Sequence, residues 1–371
     1  MHDVSVIGGG LAGLISAIHL RKAGFSVQLF ERHSFPRNKV CGEYISNEVW
    51  PYLESLDLNI QALQPKLIRH FLFTSPYGKA VKTPLGLGGF SVSRHALDHH
   101  LYQLAQALGV DVHTETSIQH LQFEQDHFSL QTTDKQGFAS RVAIGSHGKR
   151  SGLDRTLKRS FFEKRVDYVG VKAYYRGPFQ DDLVALHNFP GGYCGLSKVE
   201  NGLINVAYLT KAHLLKQYGN LDALEEKGLG QNPHLKRFFQ EYERVTPQRL
   251  VISNISFDKK DLINQHVLMT GDAAGMIPPL AGNGMAMAIH AAKIVSEHSE
   301  RFLRGEINRP ELEAAYGKDW NRAFRYRLFW GRTIQRLMGE KSMEMAVRAL
   351  KVLPGALPLV VRQTHGKVLT P

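Results

Sequence analysis

Three glycines near the start of the chain, Gly8-x-Gly10-x-x-Gly13, are followed by an acid, Glu31, eighteen residues after the last of them. Residues of these types at this spacing suit a dinucleotide. Gly8 permits a tight turn, Gly10 lets the backbone approach a pyrophosphate, and Gly13 lets a helix lie close on a strand. Unpaired N–H groups at the helix start turn a partial positive charge toward the phosphates. Glu31 would accept hydrogen bonds from the adenosine ribose hydroxyls. A second set of residues stands near position 272. Gly271-Asp272 ends an apolar run, and glycines and prolines then lead into a helix expected from about Asn283. A carboxylate at a strand end can bind a cofactor hydroxyl, and the helix start offers a further dipole site.

Such residues need a strand–turn–helix–strand frame, and the apolar pattern supplies one. Residues 4–7 form a short apolar run that stops at Gly8-Gly9-Gly10. Leu14, Ala17, Ile18 and Leu20 then fall at helical spacing, and residues 27–30 form a second run ending at Glu31. Residues 70–92 alternate apolar with polar and are cut by prolines and glycines, which predicts two or three antiparallel strands. Leu97, Leu101, Leu104 and Leu108 predict a helix stopped by Gly109. Strands are expected at 111–113, 117–124, 128–133 and 141–145. Residues 166–256 read as strand-rich with a helical insertion at 211–244, and residues 312–361 as helices broken at Pro354 and Pro358.

The chain has 371 residues, 43% apolar and 22% charged, enough for two domains. It shows no repeat of solenoid type and no apolar stretch approaching the roughly 20 residues that span a bilayer. The first strand begins at once, so no signal peptide is expected, and two cysteines, Cys41 and Cys194, make no disulfide framework. A cytoplasmic protein is expected. His and Cys lack ligand spacing, so no metal is expected, and no Gly-x-Ser-x-Gly elbow occurs. The net charge of +12 gathers late, with 14 Lys and Arg against 6 acids from residue 301 onward. This basic C-terminal region is either a solvated helical face or a contact for an anionic membrane surface or an acidic carrier protein. No nucleic-acid motif accompanies it.

The N-terminal fingerprint and the segment "TGDAAGMIPPLAGNGMAMAIHAA" (270–292) together resemble FAD enzymes of the para-hydroxybenzoate hydroxylase superfamily. The geranylgeranyl reductase family is the closer branch, with relatives among monooxygenases and halogenases. The resemblance spans nearly the whole chain, specific in the two FAD motifs and loose in the substrate region. It implies that Gly8, Gly10, Gly13 and Glu31 hold the ADP half of FAD. It places Asp272 on the ribityl chain and Gly282-Asn283-Gly284-Met285 against the isoalloxazine ring. Arg94 matches an arginine that helps hold the flavin. The stretch "NKVCGEYIS" resembles a Cys-Gly loop beside the flavin in geranylgeranyl reductases. That resemblance makes the Cys41 thiol a candidate to protonate a substrate carbon or tune the ring, with reactivity depending on a lowered pKa. Glu43 is a candidate acid or base. The plainer reading of Cys41 is a small buried hydrophobe.

Two departures stand out. Where the superfamily's middle motif has Asp-Gly, this chain has Ser146-His147-Gly148, so the route of electrons from NAD(P)H is left open. His147 is either a proton carrier or, the favoured reading, a loop histidine with a structural hydrogen bond. The tryptophan-rich segment of flavin halogenases is missing, which sets halogenation aside. Of an aromatic-Trp-Phe-Pro signature only Phe189-Pro190 remains, and Tyr193 and Cys194 either face the pocket or pack within the sheet.

The expected fold is therefore α/β. A doubly wound FAD-binding (Rossmann-like) domain (1–72, 94–152 and 258–300) carries an inserted antiparallel β-sheet substrate domain (73–93 and 153–257) and C-terminal helices (301–371). The expected function is FAD-dependent oxidoreduction of an apolar small molecule, with NAD(P)H as a candidate donor. Reduction of a C=C bond in an isoprenoid or polyketide-type chain is slightly favoured. The alternative is hydroxylation of an aromatic or polyketide substrate through a flavin C4a-hydroperoxide. A protein that only relays electrons or senses redox state is the third reading.

Overall fold

A computed structural model describes residues 1–163, 168–276, 282–336, 340–352 and 355–370, with backbone alone at 334–336, 340–341 and 364. The chain opens with β1 (His2–Ile7), α1 (Leu11–Lys22) and β2 (Val27–Phe30). Helix α1 buries nine of its residues, including Leu14, Ile15 and Ile18, because it lies under neighbours α3 and α8 as well as on the sheet. Next come β3 (Tyr44–Ser46), α2 (Trp50–Ser55), β4 (Lys66–Thr74), β5 (Ala80–Ser91) and α3 (Arg94–Ala107). Ser93 caps α3 by accepting the Ala96 N–H at 3.0 Å. Strands β6 (Asp111–His113), β7 (Ile118–Glu124), β8 (His127–Thr132) and β9 (Gly137–Gly145) follow, then the short α4 (Gly152–Thr156).

The middle of the chain supplies β10 (Tyr168–Arg176), β11 (Leu183–Phe189), β12 (Gly192–Lys198) and β13 (Ile204–Lys211). Helices α5 (Ala212–Tyr218), α6 (Leu221–Ala223) and α7 (Pro233–Glu241) interrupt before β14 (Glu243–Arg244) and β15 (Leu250–Ile255). The chain then returns through β16 (Ile263–Asn264) and β17 (Val267–Met269) to α8 (Gly284–Leu303). It continues as α9 (Arg309–Arg336), α10 (Glu340–Val352) and α11 (Ala356–Thr364).

The first sheet runs β16-β17-β9-β1-β2-β6, parallel from β17 to β6, with β7 and β8 folding back antiparallel onto β9. From β1 the chain steps outward to β2 on one side and later to β9 on the other. Strand order therefore reverses between β1 and β9, and ligands of open α/β sheets bind at the carboxyl ends beside such a reversal. Both the glycine turn after β1 and the Ser146–His147 turn after β9 emerge there.

The second sheet runs β14-β10-β13-β12-β11-β4-β5-β3, with β15 on β10, and is antiparallel except for the β11–β4 pair. The domain boundary expected at residue 72 falls inside β4, and β3 also belongs to this sheet. Strand β4, "KLIRHFLFT", begins four residues before the stretch read as strands, and it shows no clean alternation of burial. One face packs on α5–α7 around Tyr175, Cys194 and Phe238. The other carries Phe73, Leu186, Tyr193 and Leu209 against Met343, Val347 and Leu357 of α10 and α11.

The C-terminal region is helical as expected, but Pro358 does not break it. It is the third residue of α11, where a helix has no partner for the N–H that proline lacks. Pro354, like residues 277–281 of the second motif, lies outside the described residues.

Candidate active site

A cavity of about 1640 Å³ runs from the β1–α1 turn, past the 41–43 loop, to α10 and α11. At its first end Gly8 has φ +112, and a Cβ there would stand 2.5 Å from the Ser146 carbonyl oxygen. A Cβ on Gly13 would land on the Gly8 carbonyl oxygen. Both glycines are thus consumed by close packing. Gly10 differs: a Cβ there would meet nothing nearer than Lys39 Nζ at 3.9 Å, so its backbone is open to the cavity. Gly10 caps α1 without any side-chain hydrogen bond. Glu31 is buried at the far side of this turn. Its Oε2 accepts the Gly9 N–H at 2.9 Å, and its Oε1 accepts the His33 N–H at 3.1 Å and faces Arg37 at 2.9 Å. A carboxylate has about four acceptor sites and three are taken, so capacity remains for one hydroxyl.

Asp272 follows Gly271, which has φ +58, and exposes its carboxylate to the cavity. Its carbonyl accepts from Lys260 Nζ at 2.7 Å. Burial pulls both Lys149 and Lys260 down to about 8, while the Asp272 charge works in the opposite direction. Beyond it, Gly282 has φ +65, and Gly284 and Met285 line the cavity at the uncapped start of α8. Asn283 is fully buried and donates from Nδ2 to Glu48 Oε2 at 3.2 Å. Glu48 in turn receives Arg327 Nη1 at 2.8 Å and the Gly366 N–H.

Between the two ends lies the 41–43 loop, held by the second sheet. Asn205 on β13 donates to the Cys41 carbonyl at 3.1 Å, and Ser197 on β12 to that of Gly42 at 3.4 Å. The thiol of Cys41 is half-buried at the cavity wall, beside the Arg94 guanidinium. Burial pushes this thiol up; Arg94 opposes the shift and Glu43 adds to it. The lowered pKa on which reactivity as a thiolate would depend is therefore not found, because desolvation outweighs the arginine. Arg94 holds Asp98 in a fork, Nε to Oδ1 and Nη2 to Oδ2, both 2.7 Å, and Lys39 completes the cluster at 2.8 Å.

Glu43 stands at φ +56, a strained setting for this residue type, and is fully buried. Its carboxylate pairs with Lys172 Nζ, takes the Arg94 N–H at 2.6 Å and takes the Tyr174 hydroxyl at 3.0 Å on both oxygens. Burial pushes the Glu43 carboxyl up, and Lys172, Arg94 and Tyr174 pull it back. Sequence reading missed Lys172, Tyr174, Lys39 and Glu48. Only Asp98 carried a signal, the helical i, i+4 spacing from Arg94.

His147 lines the cavity, yet its Nε2 hydrogen-bonds Asp154 at 3.0 Å, and Asp154 also binds Arg159 at 2.8 Å. Tyr193 and Cys194 divide between the two faces of their strand. Tyr193 lines the cavity, and Cys194 is wholly buried on the α5–α7 side.

The family described as FAD binding domain matches residues 1–176. This stretch holds both switch-point turns, the acid Glu31 and the 41–43 loop. The first 176 residues therefore carry an FAD binding domain. Conditioned medium factor receptor 1 of Dictyostelium discoideum is 26% identical over 333 residues, covering 80% of this chain and 62% of its own. Digeranylgeranylglycerophospholipid reductase 2 of Methanothermobacter thermautotrophicus is 24% identical, covering 100% of this chain and 93% of its own. Flavin-dependent brominase Bmp2 superposes with a TM-score of 0.80 over 98% of this chain and 93% of its own, at 16% identity, a likeness of fold. The chain spans about 62% of the length of the first curated relatives, which include tryptophan 2-halogenase of Chondromyces crocatus.

This FAD-binding chain offers what the cofactor needs. The open Gly10 backbone and uncapped α1 suit a pyrophosphate, and the one spare acceptor site of Glu31 suits a ribose hydroxyl. The carboxylate of Asp272, exposed at the cavity, suits a cofactor hydroxyl. No group of three or more His, Cys, Asp or Glu able to hold a metal occurs among the described residues. Among those residues, too, no helix is long and apolar enough to cross a membrane.

Proposed function

We propose that the chain is an oxidoreductase that uses FAD to reduce a carbon–carbon double bond in a long apolar molecule. One observation carries this reading: the dinucleotide cradle and an apolar chamber are a single cavity of about 1640 Å³. Sites for one small ligand are typically about 300–1,000 Å³, so there is room for a second molecule beside the cofactor. The chamber is walled by Phe71, Phe73, Leu186, Leu209, Met343 and Leu357, with no charged side chain among these. Relatives named digeranylgeranylglycerophospholipid reductase and menaquinone reductase support a polyisoprenoid-like chain as the substrate class.

When bound and reduced, FAD would supply a hydride equivalent for one carbon of the double bond. Cys41 would give the proton to the other carbon as the hydride arrives: the π bond and the S–H bond break, the two C–H bonds form, and the S–H pair stays on sulfur. A thiol kept protonated by burial suits that task better than a thiolate. Arg94 stabilises the thiolate left behind, which takes up a proton from solvent. Glu43, clamped by Lys172 and Tyr174, fixes the loop that presents Cys41. The apolar walls exclude water from the reacting carbons.

The test is anaerobic mixing of the dithionite-reduced protein with an unsaturated isoprenoid chain, followed by product mass analysis, and the same mixing with oxygen. A gain of two hydrogens per double bond, slowed in Cys41→Ala without loss of bound flavin, is expected. A product heavier by one oxygen atom, formed only in air, would replace this reading by monooxygenation.

A further inference from the structure

We infer that the outward face of α9, α10 and α11 docks on an anionic lipid bilayer and passes the apolar substrate between bilayer and cavity. The passage of substrate rests on the proposed function; the docking does not. Fourteen large apolar side chains stand exposed among the described residues, and eight of them lie between Tyr326 and Val368. That concentration in so short a stretch is what scattered surface hydrophobes would not give.

On α9, Tyr326, Phe329 and Trp330 are 68%, 59% and 42% exposed, and their spacing places them on one face. On α10, Met343 and Val347 are turned inward at 5% and 0%, while Met345 and Val352 are turned outward at 64% and 78%. A helix apolar on both sides needs cover on both. Trp330, Leu359 and Val360 carry the argument furthest. They line the cavity and are also 42%, 59% and 42% exposed, so they form the rim where the cavity meets the outside. A long apolar molecule leaving there emerges among apolar side chains rather than into water.

The charge around this rim selects the partner. From residue 320 onward the sequence has ten Lys and Arg against two acids. Arg325, Arg348, Lys351 and Arg362 are exposed, and the acid Glu344 is taken up by Lys79 at 2.6 Å. Aromatic and aliphatic side chains flanked by basic ones are what a helix lying in an anionic interface requires. A second copy of the same surface would bring like charges together.

The test uses the FAD-loaded protein in flotation with vesicles of phosphatidylcholine, alone or mixed with phosphatidylglycerol. Flotation is expected only with the mixed vesicles and should be reversed by high salt. Arg325→Glu with Lys351→Glu should weaken it at least ~20-fold, since each basic residue near the surface contributes about fivefold. Tyr326→Ser with Phe329→Ser, neither of which lines the cavity, should weaken it about tenfold or more with the flavin spectrum unchanged. Failure of the unaltered protein to float with the mixed vesicles overturns the inference, as does flotation indifferent to both variants. So does a dimer that Tyr326→Ser with Phe329→Ser dissolves while no vesicle is bound, or retention by an acidic acyl carrier protein without vesicle binding. Reduction of a detergent-dispersed substrate is read separately: flotation without it sinks the proposed function and leaves the docking intact.

Discussion

Lys172→Met isolates the buried pair that holds the Cys41 loop. Lys172 and Glu43 are both wholly buried, and the substitution leaves a carboxylate with only the Tyr174 hydroxyl and the Arg94 N–H. Removing one partner of a buried pair costs about 3–5 kcal/mol. Here the loss has an escape, because Glu43 can take up a proton. Burial already pushes this carboxyl up with Lys172 present, and without the ammonium it rises further. A raised pKa means the folded state holds the proton that the unfolded state has released. The penalty should therefore shrink as pH falls, by at most ~1.4 kcal/mol per unit. Denaturant midpoints at pH 5 and pH 8 should show Lys172→Met far weaker at the higher pH. Glu43→Gln strands the lysine instead and should show the opposite slope, while the double substitution should be nearly indifferent to pH. A single-variant loss under about 1 kcal/mol, or one equal at both pH values, would refute the reasoning.

Two further predictions concern the cofactor end. Gly13→Ala should abolish soluble protein, because its Cβ lands on the Gly8 carbonyl oxygen, whereas Gly10→Val should stay folded and purify without flavin, read by circular dichroism and absorbance. Burial alone would raise the Asp98 carboxyl, but Arg94 and Lys39 overcome it and hold it at about 2. Against an unfolded value near 3.9, that depression contributes about 2 kcal/mol above pH 4, lost as pH falls toward 2. Asp98→Asn should remove that part of the acid transition, measured by urea unfolding across this range.

The β1–α1–β2 unit could be read directly from the sequence because three independent signals coincide there: short apolar runs, helical spacing and glycines at fixed offsets. The return to that sheet at Asp272 was legible for the same reason. What escaped depends on pairings between distant residues. Lys172 looks like one more lysine on a strand, and nothing local says that it meets Glu43, 129 residues away. Strand β3 is three residues long and did not announce the sheet it joins, and β4 was legible only from residue 70 onward. The split between Tyr193 and Cys194 follows from strand alternation, but which of the two faces the cavity depends on where α10 and α11 pack. The depth of Cys41, which decides the direction of its pKa, is set by the same tertiary closure.

Glu48 gathers contacts from four places: Asn283 at the start of α8, Arg327 in α9, the Gly366 N–H, and the Leu369 N–H on its own carbonyl at 2.7 Å. A side chain on Gly366 would collide with the Arg327 guanidinium, so the segment fits only by being bare there. During synthesis on a ribosome, Glu48 emerges more than three hundred residues before Gly366 does. The turn at the start of α8 thus waits, incompletely tied, until residues 366–369 leave the exit tunnel. Cofactor capture is therefore expected late in the making of this protein. A fusion that pulls on this segment should reduce the yield of yellow protein without touching any residue of the cavity.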